Sequence, residues 1–283
     1  MMVNFNGNLI ENTEALTLHN RGYKYGDALF ETLKVFGGKV LFLEDHYFRL
    51  MASMRIMRME IPMNFTMEFL EEEIVKALEA NSLKGANARV RMNVDRSGAG
   101  KYRPTEKGIN YSLEVEALDG GLYHFDSSKR HLVDLYKDFY VAEGLLSSLK
   151  TNNKAINVLG SIYAQENDYD NCLLLNTKKQ VVEALNGNLF LVKDESIKTP
   201  PIEDGCLKGI MRKQVAELIT KQLFDYKLEE SSISPFELQK ADELFITNVI
   251  VGIQPVTRYR KKSYTSGFSE KLVELLNKKI SEN

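Results

Sequence analysis

The sequence contains no tryptophan and only two cysteines, Cys172 and Cys206, in 283 residues. Two cysteines so placed make neither a metal-ligand cluster nor a disulfide framework for a chain this long, and they read as buried or neutral thiols. Histidine is nearly as scarce. His19, His46, His124 and His131 form no HExxH or Cys/His spacing, so no metal is expected. An excess of charge of one sign is missing too: 37 Lys and Arg stand against 39 Asp and Glu, a formal net charge of -2. That balance argues against a nucleic-acid partner or a polybasic membrane anchor. No apolar run is long enough to span a bilayer, and Met1-Met2-Val3-Asn4-Phe5 lacks the basic-then-apolar order of a signal peptide. These absences predict a cytoplasmic soluble protein.

What is present alternates between two periods. Val3 to Leu9 reads as a hairpin turning at Asn6-Gly7, and Leu29 to Leu43 as a second pair turning at Gly37-Gly38. From Asp45 to Met57 the period becomes helical, with Tyr47, Leu50, Met51, Met54 and Met57 on one face. The methionines read as core filling rather than a metal site. A second helix is expected over Met67 to Ala80. Ala88, Val90, Met92 and Val94 then alternate with Arg89, Arg91 and Asn93, the mark of a strand with one buried face. Residues 95–108 read as a Gly- and Lys/Arg-containing loop, and Asn110 to Ala117 as another strand. Asp119-Gly120-Gly121 closes this unit, which predicts one domain over 1–120 and a larger one over 121–283. In the second, Ile156 to Gln165 reads as a helix, Cys172 to Leu175 as a buried strand, and Gly209 to Phe224 as a helix. Leu244 to Thr247 reads as a late strand and Phe268 to Lys279 as a terminal helix. The fold class is α/β, mixed α+β, in two domains.

Taken alone, the chemistry-bearing residues are ambiguous. Lys150 and Lys154 in the loop before the helix are ordinary solvent-facing lysines by composition. Arg49 reads as a polar helix-face residue and Glu183 as a strand-end carboxylate. Several separated segments, read together, say more. Arg21-Gly22-Tyr23-Lys24-Tyr25-Gly26-Asp27-Ala28-Leu29-Phe30-Glu31, His46-Tyr47-Phe48-Arg49-Leu50 and Lys154-Ala155-Ile156-Asn157 are three. Val182-Glu183-Ala184-Leu185-Asn186-Gly187-Asn188-Leu189-Phe190, Gly209-Ile210-Met211-Arg212 and Phe245-Ile246-Thr247-Asn248 are three more. Their order and content resemble the fold-type-IV, or class IV, aminotransferase family of pyridoxal-phosphate enzymes.

That resemblance implies a two-domain enzyme with pyridoxal 5'-phosphate between the domains, and a homodimer. It selects Lys154, three residues before Asn157, as the lysine that carries the cofactor and moves protons at the substrate carbon. It places Arg49 on the phosphate, a pairing that suits guanidinium geometry, and Glu183 at the pyridine nitrogen, where a carboxylate favours the protonated ring. The backbone donors of Ile210 and Met211 would cup the phosphate at a helix N-terminus. Met211 departs from the family's Thr and loses a hydroxyl there. Asn248 is a further cofactor contact by the same resemblance.

The loop Asp95-Arg96-Ser97-Gly98-Ala99-Gly100-Lys101-Tyr102 most resembles that of aminodeoxychorismate lyase, a branch of the family. The leading expectation is therefore 4-amino-4-deoxychorismate lyase, releasing pyruvate and 4-aminobenzoate in folate precursor synthesis. Phe30 and Arg96 are the expected substrate contacts, with Arg89, Arg91 and Lys101 as competitors for the substrate carboxylate. The alternative is an amino-acid aminotransferase, possibly branched-chain, with a keto-acid acceptor. Phe30 in place of a tyrosine found in some of these enzymes, and the lack of the usual Gly-Asn-Tyr pattern around Lys154, depart from that branch. A noncatalytic binding protein is the reading from another class.

Overall fold

The structure, a computed structural model, describes residues 1–12, 17–126 and 128–282. It divides into two compact units. The first comprises Met1–Leu122 and Lys150–Asn153, the second Tyr123–Leu149 and Lys154–Asn283. The expected boundary lies between 120 and 121. The return of 150–153 to the first unit has no counterpart in that expectation.

The first unit holds strands β1 (Met2–Phe5) and β2 (Asn8–Glu11), helix α1 (Arg21–Tyr25), and strands β3 (Ala28–Phe36) and β4 (Lys39–Val40). Helices α2 (Leu43–Ile56) and α3 (Met67–Ala80) and strands β5 (Ala88–Arg96) and β6 (Ile109–Ala117) complete it. The six strands form one sheet in the order β2-β1-β6-β5-β3-β4. Register sets its two faces. Leu29, Leu33 and Val35 lie opposite Val94, Val90 and Ala88, all buried on the face that packs under α2 and α3. Phe30, Thr32 and Lys34 lie opposite Asn93, Arg91 and Arg89 on the other face. Met51 and Met54 are buried on α2, as core-filling residues would be. One local expectation is corrected. The strand does not run on to Leu43: Phe42 adopts φ 57, a left-handed conformation, and α2 starts at the next residue.

The second unit opens on β7 (Leu132–Val141), α4 (Ala155–Glu166), β8 (Asn171–Asn176), β9 (Val181–Ala184), β10 (Asn188–Lys193) and β11 (Ser196–Thr199). It continues with α5 (Ile210–Gln222), β12 (Lys227–Glu230), α6 (Pro235–Lys240), β13 (Glu243–Asn248) and β14 (Gly252–Pro255). It ends with β15 (Arg258–Tyr259), β16 (Lys262–Ser263) and α7 (Gly267–Ser281). Two five-stranded sheets, β12-β11-β10-β13-β14 and β16-β15-β7-β8-β9, share one core in which Leu173 and Leu175 meet Leu189, Leu191, Leu244 and Ile246. On the outer face of the second sheet, Tyr136, Cys172 and Leu174 pack with Ile156, Tyr163 and Ala164 of α4. Helices α5 and α7 cover the other sheet. Strand β8 is buried on both faces, which explains its unbroken Cys172-Leu173-Leu174-Leu175 run.

The turn from β9 into β10 is crowded. A Cβ on Gly187 would stand 2.6 Å from the Thr247 carbonyl and 2.7 Å from Ile246 Cγ2. Gly187→Ala should therefore destabilise the chain by about 1–3 kcal/mol, because backbone on one side and a β-branched residue on the other cannot retreat freely. A fall in the urea midpoint with an unchanged slope would show it. An unaltered midpoint would mean the turn relaxes at no cost.

Candidate active site

Lys154 is the residue from which α4 departs. It occupies the N-cap position at φ -117 and ψ 22, half-buried. Three residues on, in the first turn, the Asn157 amide donates to the Leu185 carbonyl at 2.7 Å. That bond pins the start of α4 to the turn that follows Glu183. The Lys-x-x-Asn spacing thus has a physical reason: the asparagine fixes where the lysine's helix begins. Gly160 keeps the same contact close, since a Cβ there would run into the Leu185 side chain.

Glu183 lies on β9 beside Leu174 of β8. Its Oε2 accepts from the Leu207 amide at 3.0 Å and from Asn188 Nδ2 at 3.3 Å. Asn188 Nδ2 also donates to the Leu207 carbonyl at 2.8 Å. Two residues beyond Leu207, Gly209 caps α5 at φ -73 and ψ 138 with no side-chain cap bond. The amides of Ile210 and Met211 therefore open a thirteen-residue helix, whose N-terminus carries partial positive charge. A Cβ at Gly209 would overlap Asn188 Oδ1, so glycine is required for this approach.

Asn188 is directly opposite Thr247 on β13. The Thr247 hydroxyl is buried and finds no hydrogen-bond partner among the described residues. An unsatisfied buried hydroxyl on the strand face beside α5 calls for a ligand oxygen. Asn248, the residue expected to touch the cofactor, spends its side-chain carbonyl on its own turn, accepting from Ile250 at 3.0 Å and Val251 at 2.9 Å. Thr247 is the stronger phosphate candidate, and a serine or threonine hydroxyl was the function missing at Met211. One unit thus brings together Lys154, Glu183, the N-terminus of α5 and Thr247. The donor set fits pyridoxal phosphate: an amine, a carboxylate, and a hydroxyl beside helix amides.

In the first unit, Arg49 makes a two-pronged ion pair with Glu31, Nε donating to Oε1 at 2.8 Å and Nη2 to Oε2. His46 Nδ1 is 2.7 Å from Glu31 Oε2. Burial alone would raise the Glu31 pKa. The Arg49 charge and the His46 hydrogen bond outweigh it and hold the carboxyl at about 2. Burial lowers the pKa of His46, against the pull of Glu31, and the ion pair of this cluster is Glu31 with Arg49.

Phe30 is the centre of a cationic cluster. Arg91 Cζ stands 4.0 Å from its ring centroid and Lys150 Nζ 4.5 Å. The Phe30 amide donates to the Lys150 carbonyl at 2.8 Å. Arg96 is placed differently from the expectation. It is buried, and it donates to Asp27 at 2.9 and 3.2 Å, to Arg58 O at 3.1 Å and to Met57 O at 2.6 Å. Its guanidinium holds the base of the 95–108 loop. Arg21 does the same from another side, donating to the carbonyls of Ala99, Gly100 and Lys101 at 3.3, 3.2 and 2.8 Å. Lys101 is exposed on that loop. Arg91 and Lys150 are therefore better placed than Arg96 to meet a carboxylate beside Phe30.

Comparison with known proteins gives the same direction. The profile of the family described as Amino-transferase class IV matches residues 28–259. The chain belongs to the class IV aminotransferases. With that family it is a pyridoxal-phosphate enzyme. A relative from Methanocaldococcus jannaschii, assigned as a branched-chain-amino-acid aminotransferase, is 30% identical over 265 residues, covering 90% of this chain and 87% of that protein. A D-alanine aminotransferase of Bacillus licheniformis is 26% identical over 268 residues, covering 94% and 91%. Among solved structures, the branched-chain aminotransferase of Thermoproteus uzoniensis with norvaline superposes with a TM-score of 0.85 at 23% identity, over 98% of this chain and 94% of that one. A chain from Legionella pneumophila assigned as a 4-amino-4-deoxychorismate lyase gives a TM-score of 0.77 at 23% identity, over 95% and 96%. At such identities the two structures speak for the fold. Both of these relatives in sequence carry aminotransferase names, which favours the alternative reading over the lyase.

Proposed function

We propose that this enzyme is an amino-acid aminotransferase that passes an amino group to a keto acid. The carrying observation is the Lys154–Asn157–Leu185 and Glu183–Leu207–Gly209 connection, which sets an amine, a carboxylate and a phosphate-type helix terminus in one hydrogen-bonded frame. When bound, pyridoxal phosphate supplies an electron sink for the charge left on the substrate carbon after proton loss. Lys154 Nζ anchors the cofactor and moves that proton. Glu183 holds negative charge at the ring nitrogen and keeps its proton there. Ile210 and Met211 amides and the Thr247 hydroxyl take phosphate oxygens, and Arg49 is the phosphate's guanidinium. Arg91 and Lys150, flanking Phe30, take the substrate carboxylate in place of Arg96.

The same reading includes a homodimer in the cytoplasm. Val158, Leu159 and Ile162 are exposed on α4, an apolar stripe of the kind that oligomer contacts cover. Among the described residues no helix is long and apolar enough to cross a membrane.

The test is a product count with enzyme limiting. Purified protein and a panel of L- and D-amino acids should give one keto acid per active site without an acceptor, and many when a keto acid is added. Repeated release of pyruvate and 4-aminobenzoate from aminodeoxychorismate, with no acceptor present, would reverse the assignment in favour of the lyase. Elimination would turn over repeatedly without an acceptor, whereas transamination would need one for each further turnover.

A further inference from the structure

Asn188 is 3% exposed and is not one of the residues that the reaction itself needs. Its two amide hydrogens go in two directions. One reaches Glu183 Oε2 at 3.3 Å and the other the Leu207 carbonyl at 2.8 Å. The Leu207 amide closes the circuit by donating to the same Oε2 at 3.0 Å. The loop that follows runs straight into Gly209 and the first amides of α5.

We infer that Asn188 is a positioning residue that couples the ring-nitrogen carboxylate to the phosphate-binding helix, so that one amide sets both ends of the cofactor cradle. The inference rests on the reading above, in which Glu183 and α5 hold the cofactor. Three features carry it. Both Asn188 bonds converge on Glu183 and Leu207, so the carboxylate and the loop cannot shift independently. The residue starts β10, where register places it opposite Thr247 and its buried hydroxyl. Its Oδ1 also occupies the space that a Cβ at Gly209 would need, which locks the cap residue against the strand. A purely structural asparagine would satisfy one buried carbonyl. This one satisfies a carbonyl and a functional carboxylate with the same nitrogen.

The probe is pyridoxal phosphate, titrated into cofactor-depleted full-length protein. Asn188→Ala removes both bonds. Asn188→Asp keeps the size, removes the donors and sets a second carboxylate beside Glu183. Each variant should bind the cofactor about tenfold more weakly or worse, with Asp the weaker binder. The visible circular dichroism of the bound cofactor should change as well, because the carboxylate that orients the ring is released. In a Glu183→Ala background, which removes the acceptor that Asn188 holds, the Asn188→Ala change should add little to that signal, as expected if Asn188 acts through Glu183. Unchanged affinity and visible dichroism in both variants would overturn the inference. So would a lowered melting temperature with the cofactor signals intact, which would mark a packing role. Wild-type protein that takes up no borohydride-reducible cofactor on Lys154 would overturn the proposed function and this inference together.

Discussion

Lys154→Ala should abolish turnover, by on the order of 10^4-fold or more, and should leave no cofactor that borohydride can fix to the chain. Lys150→Ala should keep the fixed cofactor. The two lysines are four residues apart, yet they belong to different units. Lys150 has its Nζ 4.5 Å over the Phe30 ring and its carbonyl bound to the Phe30 amide. Lys154 opens α4, which Asn157 ties to the turn after Glu183. Only the second shares a unit with the carboxylate and the α5 terminus. Reduction of the loaded enzyme followed by peptide mapping checks this directly. A modified Lys150 with an unmodified Lys154 would reverse the assignment and remove the frame on which the proposed function stands. A weaker reaction with Lys150→Ala, by contrast, would show as poorer use of the amino-acid substrate, since that side chain sits with Arg91 where a carboxylate would be met.

The sequence was informative where a local pattern decides the structure. The alternation of Ala88 to Val94 is decided by one buried sheet face, and it reappears as register against β3. The helical spacing read from Asp45 to Met57 reappears in α2, where Leu50, Met51 and Met54 are buried while Tyr47 and the C-cap Met57 are half-buried. The capping box at Ser234, with Pro235 and Glu237, is equally local and marks the start of α6. Other features depended on partners far away in the chain. Arg96 looked like a loop cation, and only the fold shows that Asp27, Met57 and Arg58 claim it. Residues 150–153 read as the second domain's own loop, but Thr151 bridges to Leu29. Short strands such as β15 and β16, two residues each, are too brief for any period to register. In the proposed site, motif register singles out Lys154 and Glu183, whose segments adjoin regular elements. Asn157 serves only as a landmark there, and the roles proposed for Asn188 and Thr247 rest on cross-strand pairing that one dimension does not display.

Glu183→Gln should retain cofactor on Lys154 while slowing the first half-reaction by about a hundredfold. The substitution preserves shape, so the Leu207 amide and the Asn188 amide can still meet an oxygen at that position. What it removes is the negative charge. A carboxylate favours a protonated, positively charged ring nitrogen, and a neutral amide does not. The electron sink weakens, and the proton that Lys154 takes from the substrate carbon becomes harder to remove. The effect should therefore fall on the chemical step and spare affinity for the cofactor, which depends on the α5 terminus and Thr247. Single-turnover rates with excess amino acid, read alongside a cofactor titration, separate the two. A Gln variant that reacts at the wild-type rate would take Glu183 out of the ring-nitrogen role. A variant that loses the cofactor altogether would mean that Glu183 holds the Leu207–Gly209 loop in place rather than tuning the ring, and Asn188→Ala should then reproduce the same loss.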